Sequence, residues 1–233
     1  MLGMTIDPYM IDAATIDDPR AAYRALASAA KSYLMRMDAS ATGKAESQPI
    51  AMHTRIRGTG PGVCFGRLVE LMESGLGLKW ESPFEGSVHV SGAALPASEI
   101  LQEERDDGFL FLRFNAGTDD LPLHVHPESD RFILVIGGRG FFHVSADSPG
   151  AVAIDSIRNV PARDRDAFMF QRGTVHTFST AGHPLTLLSY HRPFVPLCDS
   201  AQYELTQPHL LPKEFLRGVR GNVSFDAAWT SCG

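Results

Sequence analysis

His124 and His126 stand two residues apart in the stretch GTDDLPLHVHPESDRFILVIGG (residues 117–138), and two carboxylates, Glu128 and Asp130, follow them. Imidazole and carboxylate together are donors that hold divalent transition metals. The apolar run 132–136, closed by Gly137 and Gly138, has the length and β-branched content of a strand. Extended back through the histidines, such a strand alternates with period two and projects His124, His126, Glu128 and Asp130 from one face. A His-x-His pair alone does not make a metal site, because a stable shell needs further donors. A third histidine lies downstream. The segment DAFMFQRGTVHTF (residues 166–178) reads as an acidic turn, an apolar strand, a turn at Gly173 and a new strand carrying His176.

These donors need a scaffold that brings distant strands around a cavity. From Trp80 onward the chain has that texture. Strand-like runs fall at 88–90, 109–114, 132–135, 140–144, 167–170, 176–179 and 185–190, separated by Gly, Pro and Asp turns. Short strands at close intervals imply a sandwich or barrel. Residues 147–165 read as a solvated loop with a short strand in it, and no internal repeat is present, so one barrel unit is expected.

The two motifs together resemble those of the cupin superfamily. The first cupin motif runs Gly, about five residues, His-x-His, three or four residues, Glu, six residues, Gly. It falls here on Gly117, His124, His126, Asp130 and Gly137. The second runs Gly or Asp, about five residues, Pro-x-Gly, two residues, His, three residues, Asn, and falls on Asp166, Gly173 and His176. The match covers roughly residues 105–195. The gap from Gly117 to His124 is one residue longer than usual, Asp130 stands for the usual Glu, and Gln171 and Thr180 stand for the usual Pro and Asn.

The resemblance implies an all-β fold, a double-stranded β-helix or jelly-roll barrel of the RmlC-like kind, with N-terminal and C-terminal helical extensions. It implies a divalent metal ion (Fe, Mn, Ni or Zn) held by His124, His126, Asp130 and His176. Glu128 is the alternative carboxylate, since Asp is one methylene shorter than Glu. The activities implied are those of dioxygenases, isomerases and decarboxylases, beside non-catalytic sensors. The expectation is a mononuclear Fe(II) or Mn(II) enzyme of the dioxygenase type on a small organic substrate. The alternative is a non-catalytic small-molecule-binding cupin or ligand-sensing regulator.

The flanks divide the chain into an N-terminal helical and irregular extension (1–79), the barrel (80–195) and a C-terminal capping tail (196–233). After an irregular lead-in, a helix is expected from Asp17 or Asp18, with Pro19 in its first turn and apolar residues at helical spacing to Met37. Its other reading, half of a helix-turn-helix, lacks a recognition helix after it. A polar linker (38–49), a first strand (50–56), the turn GTGPG (58–62) and a short helix (65–73) stopped by Gly75 and Gly77 follow. That turn lacks the Gly-Lys-Ser/Thr ending of a phosphate loop. A short helix is expected over 213–219, after Pro212. Both extensions are expected to cover a sheet edge or build a homodimer contact.

A hydrophobic content of 44% supplies a sizeable core, and a net charge of −6 argues against nucleic acid or an anionic membrane as partner. No run reaches the ~18 apolar residues of a membrane span, and no signal peptide is evident. Cys64, Cys198 and Cys232 are too sparse for a disulfide framework or zinc cluster and read as thiols in a reducing cytoplasm. His143, His183, His191 and His209 lie outside the motifs; His191, ending the last strand, reads as a rim residue, with a group that reaches the cavity mouth to meet substrate or support a ligand as the alternative. Phe114, Phe132 and Phe178 are expected to line the barrel, and a lipophilic lining favours a small organic partner over a sugar phosphate.

Overall fold

The computed structural model describes residues 15–41, 51–55, 65–84, 89–207 and 209–216. The expected turn at 58–62, most of the lead-in and of the polar linker, Cys64, Cys232 and the end of the 213–219 helix lie outside them.

Four helices and ten strands are present among these residues: α1 (Pro19–Ala41), β1 (Ala51–Arg55), α2 (Phe65–Gly75), β2 (Val90–Pro96), α3 (Ala97–Leu101), β3 (Gly108–Phe114), β4 (His124–Val125), β5 (Asp130–Ser145), β6 (Arg158–Arg163), β7 (Asp166–Phe170), β8 (Val175–Ser179), β9 (Leu185–Arg192), β10 (Glu204–Leu205) and α4 (Pro212–Phe215). All strand pairs are antiparallel. The architecture is the all-β jelly roll, with α1 and α2 from the N-terminal extension, α3 between β2 and β3, and α4 in the C-terminal segment.

Strand β5 organises it. Its first half pairs with β7 and β9, placing it in a sheet of order β1-β7-β5-β9-β3-β2. Its second half pairs with β6 and β8, in a sheet that continues through β4 to β10. The strand changes sheets at a bulge between Val135 and Gly137, and Gly138 there has φ of 76°. A side chain at Gly138 would meet the Pro184 carbonyl oxygen at 1.9 Å, so only glycine turns this corner. The two strand-like runs on either side of Gly137 and Gly138 are therefore one bent strand.

The larger sheet is buried on both faces. Its outer face, with Phe109, Phe111, Phe132, Leu134, Leu188 and Tyr190, packs against α1 and α2 through Tyr23, Leu26, Tyr33, Leu68 and Met72. Phe132 stacks on Tyr33 at 5.2 Å, and Tyr23 meets Phe109 edge-on at 5.0 Å. Each such side chain taken from water contributes about 1.5–3 kcal/mol, which is what holds a long helix against a barrel. Helix α1 starts as its sequence implies: the Asp18 carboxylate accepts from the Ala21 N–H at 2.7 Å. The inner face packs a second core with Leu112, Phe114, Ile133, Phe142, Phe168 and Phe178. On the far side of the smaller sheet, Leu123, Val125 and Val175 pack against Leu210, Phe215 and Leu216 of the C-terminal segment.

Candidate metal centre

Strands β4 and β8 pair through His124 and His176, which sit directly opposite each other. His126 lies just past the end of β4. The three rings gather at one point: centroids are 4.5 Å apart for His124 and His176, 5.0 Å for His124 and His126, and 5.1 Å for His126 and His176. One ring nitrogen from each lies within 4.8 Å of the others, and all three residues are buried.

Hydrogen bonds select which nitrogen each ring offers. The Nδ1 of His124 faces the Pro122 carbonyl at 3.0 Å, that of His176 the Thr174 carbonyl at 2.9 Å, and that of His126 the Gln202 carbonyl at 2.5 Å. A carbonyl oxygen only accepts, so each Nδ1 carries the proton and donates it. Each Nε2 is left with its lone pair. This outer support is what orients an imidazole toward an ion. Burial also keeps the rings neutral. It lowers His124 to about 4 and holds His126 and His176 well below the usual histidine range, with smaller contributions from the Arg131 charge and from the neighbouring rings.

The two carboxylates expected beside the histidines are not in this group. Glu128 is exposed. Asp130 lies half-buried on the other side of the strand, where its carboxylate accepts from the Arg172 backbone N–H at 2.9 Å and from the Arg172 side chain at 3.0 and 3.3 Å. The reason is a break in the strand. β4 ends at Val125, the chain bends at Pro127 and Glu128, and β5 begins only at Asp130. The period-two alternation counted back from β5 therefore does not run on through the histidines. Asp130, Phe132 and Leu134 face outward, while Arg131, Ile133 and Val135 face the interior. Phe132 is thus a partner of α1 and no part of the lining. Phe114 and Phe178 do line the cavity.

Arg131 stands where the carboxylate was expected. Taking four residues between His126 and the acidic position puts the motif on Arg131, with Gly138 six residues on; this spacing was the available signal. The Arg131 side chain is 2% exposed. Its guanidinium donates to Gln202 Oε1 at 3.0 Å and packs against the His191 ring. His191 is accordingly no rim residue: it is 1% exposed, lines the same cavity and faces Ser189 Oγ at 2.9 Å. Gln202, which sequence reasoning did not single out, ties the C-terminal segment across the barrel mouth, since its backbone carbonyl holds His126 and its side chain holds Arg131. Tyr203 and Phe84 close the same end against His124. The cavity so formed is apolar on most of its wall and has a volume of about 20 Å³, room for about one water-sized body.

Two antiparallel sheets joined by a bent β5, with a His-x-His on one strand and a third histidine facing it from the paired strand, make the assignment. The fold is that of the cupins. No protein-family profile matches the chain, and no curated protein matches it. Solved cupin-fold structures resemble it. An oxalate decarboxylase of Lactobacillus farciminis, in a formate complex, is 17% identical with a TM-score of 0.42, over 65% of this chain and 40% of that one. The polyketide cyclase RemF from Streptomyces resistomycificus is 19% identical with a TM-score of 0.40, over 50% and 74%. Vicilin from hazelnut, Corylus avellana, is 15% identical with a TM-score of 0.38, over 48% and 31%. The match spans 27–40% of the oxalate decarboxylase chains. The fold assignment stands on strand order and register. Among the described residues no helix is long and apolar enough to cross a membrane.

Proposed function

We propose that this cupin holds one divalent ion, Fe(II) or Mn(II) foremost, on His124, His126 and His176, and acts as a dioxygenase-type enzyme on a small organic molecule. The observation that carries the reading is the shared geometry of the three rings: each Nδ1 proton is given to a backbone carbonyl, and one ring nitrogen from each histidine lies within 4.8 Å of the others. Three neutral imidazoles fit a borderline divalent ion. Bound there, such an ion supplies Lewis-acid polarisation and open coordination positions. The chain's own residues do the rest. The carbonyls of Pro122, Thr174 and Gln202 fix the rings, and the phenylalanines and leucines of the lining keep water away from the reacting groups. Tyr203 and Phe84 cover the mouth.

The test is oxygen uptake by Fe(II)-loaded protein, screened over keto acids of few heavy atoms. The expected result is uptake with at least one acid in wild type and none in His176→Ala. A protein that takes up the metal but consumes no oxygen with any of them supports the second reading, a non-catalytic ligand-binding cupin. That reading is favoured by one observation, the engagement of Asp130 with Arg172 in place of an acidic fourth donor. In either reading we take a homodimer as the working unit, to be checked by light scattering.

A further inference from the structure

Arg131 is the largest of the fully buried side chains among the described residues, and no carboxylate among them forms an ion pair with it. The acceptors that meet its guanidinium are neutral: the Gln202 side-chain oxygen and the His191 ring. Its Nε has no partner. The acid whose charge acts on it is its chain neighbour Asp130, and that carboxylate is held by Arg172 on the opposite side of the strand. A buried cation in this state is uncommon, since buried charges are paired or bind ions. The guanidinium is a planar fork of five donors shaped for two-point contact with a carboxylate. It lines the same cavity as the three histidines.

We propose that Arg131 is the anion anchor of this cavity, and that the ligand taken beside the histidines is a small organic carboxylate held in a two-point contact by the guanidinium. The carboxylate takes the place that the Gln202 side-chain oxygen occupies, so binding loosens one of the two ties by which Gln202 holds the C-terminal segment over the mouth. The charge logic of the site is thereby inverted. Where the motif resemblance implies an acidic residue of the protein, this chain supplies a cation and leaves the negative charge to the ligand. The cavity has room for about one water-sized body, so the acid enters only as the Gln202 side chain gives way, and the tight, mostly apolar wall favours an acid of few heavy atoms over a phosphate ester. Where the rest of the ligand lies rests on the histidine triad as metal centre; the contact with Arg131 does not.

The experiment uses the full chain stripped of metal, with acetate as probe and acetamide as its neutral isostere, at constant ionic strength. Acetate is expected to raise the thermal midpoint in a saturable way and acetamide to leave it unchanged. In Arg131→Gln the acetate effect is expected to weaken at least 10-fold, while the midpoint without acetate stays at or above that of wild type, because an unpaired buried charge has been removed. Arg131→Lys is expected to recover part of the acetate effect. Equal responses to acetate and acetamide in wild type overturn the proposal, and so does undiminished acetate binding in Arg131→Gln. Metal content is measured on the same preparations. Acetate selectivity in a protein that takes up no metal supports the anchor and removes the metal reading. Metal uptake without acetate selectivity does the reverse.

Discussion

Two polar clusters sit on opposite faces of the larger sheet, and they differ in how completely the chain satisfies them. On the outer face, under α1, Asp107 is 5% exposed and accepts from Arg105 at 2.7 and 2.5 Å and from the Tyr190 hydroxyl at 2.7 Å. Burial pushes the Asp107 carboxyl up, but the Arg105 and Tyr190 hydrogen bonds outweigh it and hold it below the usual carboxylate range. On the inner face Arg131 has only neutral acceptors and an unpartnered Nε. The same contrast separates His143 from the triad. His143 is fully buried with both ring nitrogens engaged, by Asn159 Oδ1 at 2.6 Å and Ser179 Oγ at 2.7 Å. His124, His126 and His176 each commit one nitrogen to a carbonyl and leave the other toward a shared point. A cluster closed by its own chain fixes structure; one left open has capacity for something the chain does not supply.

Acid separates the buried histidines from the Asp107 cluster most strongly. The folded-state pKa of His124 and His143 is depressed to about 4, below the unfolded value, so the unfolded chain binds more protons as pH falls. The stability from their neutral burial is complete above about pH 6.5 and is lost as pH falls toward 4, each residue contributing on the order of 3 kcal/mol. Asp107, depressed from the carboxylate range, gives up its contribution only below about pH 4. Metal-free protein is therefore expected to unfold with an acid midpoint between about pH 4 and 6.5, and metal loading is expected to lower that midpoint. Circular dichroism against pH checks this. Stability unchanged down to pH 4 contradicts the neutral burial of the histidines.

A smaller effect sharpens the same contrast. Asp107→Ala removes the acceptor of both Arg105 and the buried Tyr190 hydroxyl, and is expected to cost about 2–4 kcal/mol by urea unfolding. Arg105 is partly exposed, which places the cost toward the lower end. Metal uptake is expected to be unchanged. A loss of metal with Asp107→Ala would mean that the outer cluster is coupled to the site through the sheet.

The amino-acid pattern told much of this in advance, and its errors share one origin. Most strand positions, the helix after Asp18 and the meeting of His124, His126 and His176 were legible, because periodicity and turn residues are local signals; the strand expected at 88–90 instead runs Val90–Pro96, and α3 after it was not expected. The assignments of Asp130 and Phe132 to the interior were not correct. Parity along a strand holds only while the strand is unbroken, and the bend at Pro127 and Glu128 resets it. One position of slip moved Asp130 and Phe132 out and Arg131 in. The roles of His191 and Gln202 were hidden for another reason. Each meets Arg131 from 60 and 71 residues away, and no local pattern reports such a contact.

Metal content of three proteins, measured element by element, decides the centre itself. Wild type and Asp130→Asn are expected to take up about one ion per chain, and His126→Ala to retain essentially none. Equal metal in wild type and His126→Ala would contradict the account.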